Sequence, residues 1–153
     1  MPYAVKRFRF RLQALLNIER NREKQAQIAF QRAASKLQRE QAVLAQQEAE
    51  FKTEQAAMAA AIRRGASPHE LSAYELFFAG LEKQMEAQRD RIKEAETALE
   101  SARKEMIQRT KQRKILEKLK ERAKEAYDEE VRHIEVNLLD EVGTTMIIQK
   151  SKE

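Results

Sequence analysis

The sequence predicts an all-α protein, a long two-helix antiparallel coiled-coil hairpin with a short turn near residues 65–68. Three observations predict it. Ala (23), Glu (22), Arg (16), Lys (14) and Leu (13) supply 88 of the 153 residues, against three Gly and two Pro, so the chain is drawn mainly from strong helix formers. Large apolar residues recur every seven places through both halves. A single cluster of helix-ending and helix-starting residues separates those halves. Alanine makes up more than a third of the 42% hydrophobic content, and aromatics are 6%, too little bulk for a two-layer sheet or a closed pocket. With 36% charged residues, most of the surface faces water.

The first helix is expected over about residues 8–64. Its stripe runs through Phe30, Leu37, Leu44, Phe51 and Met58, a heptad spacing, while the companion positions carry Ala26, Ala33, Glu40, Gln47, Glu54 and Ala61. A seam this narrow needs a partner helix. The turn follows at 65–67: Gly65 suits the left-handed position after a helix, Ser67 is placed as an N-cap, Pro68 as the first helical residue and Glu70 as the third. The second helix, about 68–142, carries Leu71, Phe78, Met85, Ile92, Leu99 and Met106, accompanied by Tyr74, Leu81, Ala95 and Ala102. At Arg109 and Arg113 the register falters, resuming through Leu116, Leu119, Ala123, Tyr127 and Ile134. Gly143 is a second candidate helix end, with a frayed tail expected over 143–153. Together 1–153 reads as a single helical hairpin domain.

A connection this short makes the helices antiparallel, with residue i facing roughly residue 133 − i. At the usual rise they would extend about 80 and about 110 Å, giving a rod without an interior pocket. In that register Lys6, Arg7, Arg9, Arg11, Arg20, Arg22 and Lys24 come opposite Arg109, Lys111, Arg113, Lys114, Lys118, Lys120, Arg122 and Lys124. Two distant basic runs thus form one positive sleeve, which calls for an acidic partner because like charges oppose each other. A nucleic-acid partner is not expected, since these runs lack aromatics for base stacking and the remainder is Glu-rich.

Several classes of chemistry are excluded. There is no cysteine, hence no disulfide, thiolate nucleophile or zinc ribbon. His69 and His133 are isolated, and a two-helix rod cannot build a water-excluding cleft for acid–base work. We therefore expect no catalytic, metal or cofactor-binding residues, no small-molecule substrate and no enzymatic activity. No apolar run approaches the roughly 20 residues that cross a bilayer, and Arg7, Arg9 and Arg11 interrupt any targeting segment. The net charge is +5, with a pI near 9.5, and a cytoplasmic location is expected. Phe77 falls one place off the seam defined by Tyr74, Phe78 and Leu81. With Leu44, Gln47 and Phe51 along the same stretch it forms a candidate docking patch, next to Gly80, which could allow close approach.

Phe8-x-Phe10-x-Leu12-Gln13-x-Leu15-Leu16, Gly65-x-Ser67-x-x-Glu70-Leu71-x-x-Tyr74-x-x-Phe77-Phe78-x-x-Leu81 and the segment from Arg132 to Leu139-Asp140-Glu141 resemble the flagellar export protein FliJ family, across essentially the whole chain. The turn segment is the most specific part. The resemblance implies a cytoplasmic component of the bacterial flagellar type III export apparatus, peripheral to the membrane at the flagellar base and similar to the stalk of the rotary ATPase gamma subunit. It implies as partners a hexameric export ATPase, the cytoplasmic domain of an export-gate membrane protein, and substrate chaperones that it escorts. It places the gate-binding face at Leu44, Gln47, Phe51, Phe77, Leu81, Gln84 and Gln88, with Gln47 departing from the family's aromatic. The ATPase-ring-binding sleeve would comprise Arg7, Arg9, Arg11, Arg20, Arg22, Arg109, Arg113, Lys118 and Arg122. An injectisome stalk would share fold and mechanics, and a nucleic-acid-binding coiled coil is the alternative of a different class.

Overall fold

Helix propensity and the heptad seam produce two helices in the computed structural model, which describes residues 5–152. α1 spans Gln13–Arg63 and α2 spans Pro68–Ser151, and they run antiparallel as a hairpin with no strand among the described residues. The turn is closed as its residues dictate. Gly65 has φ +82°, the positive φ that disfavours a side chain. The Ala66 N–H donates to the Ala61 carbonyl and the Gly65 N–H to that of Ile62, both at 3.0 Å, the paired bonds of a Schellman end. Ser67 Oγ accepts from the Glu70 N–H at 3.3 Å, so Ser67 is the N-cap of α2.

The chain packs as two compact units, Lys24–Gln108 and a second made of Met1–Glu23 with Arg109–Glu153. In the Lys24–Gln108 unit, Ala26, Ala61, Leu81, Met85 and Ala95 are buried. Phe51 meets Phe78 with ring centroids 5.0 Å apart. Gln88, also buried, donates through Nε2 to the Glu40 backbone carbonyl at 2.9 Å and to the Glu40 carboxylate. In the other unit Leu16 and Leu116 are buried, Leu16 completely, beside the buried Glu19.

Three features differ from the sequence expectation. α1 begins at Gln13 instead of about residue 8, and residues 5–10 are not helical. Phe8, Phe10 and Leu12 recur with period two, which puts them on one side only of an extended chain, and no acidic residue occupies the first turn of α1. At the other end α2 continues to Ser151, past Gly143, so the expected helix end at 142 and frayed tail over 143–153 are corrected over the described residues. Gly143 has no positive φ, and Thr144 and Thr145 donate to the carbonyls of Asp140 and Glu141, one turn back, at 2.9 Å each. Nor does the heptad falter at Arg109 and Arg113. Their 3–4 spacing continues from Met106 to Leu116, and both are half-buried.

Candidate partner-binding surfaces

In the Lys24–Gln108 unit the seven residues of the candidate gate-binding face divide between the seam and the surface. Leu81 and Gln88 are only 4% and 3% exposed. They lie seven apart on one seam row and turn toward α1, so they are corrected from surface positions to core residues. Leu44, Gln47 and Phe51 are half-buried, and Gln84 is exposed. Phe77 is 38% exposed, with its ring edge-on to Phe78 at 6.0 Å. The Gln47 side-chain carbonyl is buried without a hydrogen bond. Sequence reasoning passed over Leu76, which is 76% exposed beside Phe77. A Cβ on Gly80 would meet nothing within 4 Å, so no close approach within the described residues requires this glycine.

The nine cations of the expected sleeve sit in the other unit and also divide. Glu19 and Glu23 occupy α1 seam positions and draw arginines inward. Glu19 bonds Arg22 at 2.9 Å and lies 3.9 Å from Arg109. Arg113 donates to Glu23 and, at 2.7 Å, to Glu117, which also meets Arg20 at 3.4 Å. The hydrogen bond that Arg113 donates to Glu23 raises its already high pKa, more than desolvation lowers it. Four of the nine, Arg20, Arg22, Arg109 and Arg113, therefore share three carboxylates, and most of the expected repulsion is offset there by an ion-pair network. Arg7, Arg9, Arg11, Lys118 and Arg122 are exposed and make no ion pair with described residues. Lone seam acids in a basic run could have signalled this arrangement, because an acid on a buried row requires a cation opposite.

The segment before α1 adds a feature the sequence reading missed. The Phe8 ring lies 5.6 Å from that of Tyr127, and the Tyr127 hydroxyl donates to the Lys6 backbone carbonyl. Lys124 Nζ sits 5.3 and 5.4 Å from the two ring centroids, within range of a cation–π contact. An open groove of about 730 Å³ runs between residues 5–9 and the α2 face bearing Ala123, Tyr127, Val131 and Ile134. The segment presents Arg7, Arg9 and Arg11 outward while Phe8, Phe10 and Leu12 turn inward, half-buried.

Among the described residues, no group of three His, Asp or Glu side chains converges on a metal-binding point, and no helix is long and apolar enough to cross a membrane. No curated protein and no solved structure matches the chain. The family described as Flagellar FliJ protein matches residues 8–152, including the extended segment, the capped turn and both helices. This chain belongs to the FliJ family and is a flagellar export-associated coiled-coil protein.

Proposed function

We propose that the protein is a non-catalytic, stalk-like component of the flagellar type III export apparatus. It acts in the cytoplasm at the inner face of the membrane, linking a hexameric export ATPase to the export gate and escorting substrate chaperones. The observation that carries this reading is the whole-chain family match together with five exposed cations that pair with no described residue, Arg7, Arg9, Arg11, Lys118 and Arg122, gathered in one unit. Cations without ion-pair partners among the described residues are available to acidic groups on the ATPase, and they raise the association rate as well as affinity. Arg20, Arg109 and Arg113 support that surface from within by pairing across the two helices, while Arg22 braces Glu19 within α1. In the Lys24–Gln108 unit the surface offered to the gate is Phe77 and Gln84 with the exposed parts of Leu44, Gln47 and Phe51, while Leu81 and Gln88 hold their backbone in place.

Substitutions confined to exposed positions provide the test. Replacing Arg11, Lys118 and Arg122 with Glu should abolish stimulation of the purified ATPase while leaving helicity intact. Undiminished stimulation would discard the cationic surface. Separately, Phe77→Ala with Gln84→Ala should weaken binding of the gate's cytoplasmic domain without loss of stability. Retained affinity would reject the docking face.

A further inference from the structure

From Leu138 onward α2 exposes an apolar row, continuous with the half-buried Ile134, that no described residue covers, and we infer that this row is a self-association surface on which a second copy of the chain docks antiparallel. Ile134, Leu138, Val142 and Met146 follow one another at i, i+4, which at about 100° per residue confines them to an arc of about 120° over about 18 Å of helix. Leu138 is 39% exposed, Val142 48% and Met146 61%. Such a row is the ridge that packs against its like in helix–helix contacts.

Symmetry and charge identify the occupant. The spacing of the row is symmetric about residue 140, so an antiparallel copy sets Ile134 against Met146 and Leu138 against Val142, an isologous contact in which each copy contributes the same surface. In that register Asp128, which has Lys124 at 3.5 Å, comes beside Lys150 of the other copy, and Glu130 beside Lys152. A parallel pair would instead set each of these charges against itself. Arg132 lies one turn from Asp128, so the net electrostatic bias is modest and chiefly sets orientation. Glu135 lies within the apolar arc and the patch is short, which puts the interface in the small, transient class.

The absence of cysteine makes the test direct. Sedimentation equilibrium of the full chain should show the mass rising with concentration from 17.9 kDa toward twice that value. Leu138→Asp with Val142→Asp should hold it at the monomer with helicity unchanged. A spin label on Gln149→Cys should report about 27 Å between copies when antiparallel, against about 10 Å when parallel. A monomer throughout the range up to about 1 mM would overturn the inference and assign the row to a different protein. So would association that survives the double substitution, or the short label distance.

Discussion

Replacing Arg113 with Leu should destabilise the fold by more than the removal of its own hydrogen bonds, because it takes the closest cation away from the part-buried Glu23 carboxylate. In the structure the Arg113 side chain is 23% exposed and that of Glu23 13%, so the pair is largely but not wholly removed from water. Breaking a fully buried pair costs about 3–5 kcal/mol. With part of the Glu23 carboxylate still hydrated, and with Glu117 losing its 2.7 Å partner as well, the expected cost is about 1–3 kcal/mol. That corresponds to a fall in Tm of roughly 2–12 °C for a chain of this size. Both residues occupy heptad positions, where apolar side chains pack well, so Glu23→Leu added to Arg113→Leu should recover most of the loss. Thermal or urea unfolding followed by circular dichroism for wild type, the two single variants and the double variant would yield a coupling energy of about 0.5–3 kcal/mol. It should persist in roughly 0.5 M salt, because shielded charges are screened weakly. A coupling below about 0.3 kcal/mol would show that the pair behaves as an ordinary surface ion pair, and the seam would not be what holds it.

The same unfolding measurements check four further variants, and a titration checks a fifth. Leu16→Ala, at a fully buried site, should cost about 2–5 kcal/mol, whereas Leu15→Ala, 41% exposed, should cost less than about 1 kcal/mol; equal losses would contradict the assigned seam. Gly65→Ala should destabilise by about 1–2 kcal/mol through its positive φ, although nothing lies near the added methyl. Gly80→Ala, with equally open surroundings, should stabilise by about 0.5–1 kcal/mol. The hydrogen bond from Arg103 holds the Glu100 carboxyl below the usual carboxylate range. Its stabilising contribution is therefore present above that range and lost as pH falls through the lowered value. An NMR titration of Glu100 should show its midpoint move upward in Arg103→Gln, and an unmoved midpoint would rule out the pair.

Parts of the molecule differ in how far their sequence determined them. Composition, the seven-residue period and Gly65-x-Ser67-Pro68-x-Glu70 determined two helices, the turn and the antiparallel sense, because each depends on interactions within a few residues along the chain. At the candidate surfaces, residue type alone marked the basic cluster and the aromatic patch. Only tertiary structure decided which of those side chains remain available. Glu19 and Glu23 pull Arg109 and Arg113 inward, and Leu81 and Gln88 turn into the seam. The segment around Phe8 leaves the helix to pack on Tyr127, where the inward side of its period-two pattern finds a surface. Orientation about a helix axis and pairing across a seam depend on what the other helix presents, and burial of an ionic group is settled only where its counter-charge arrives from a position some ninety residues away in sequence.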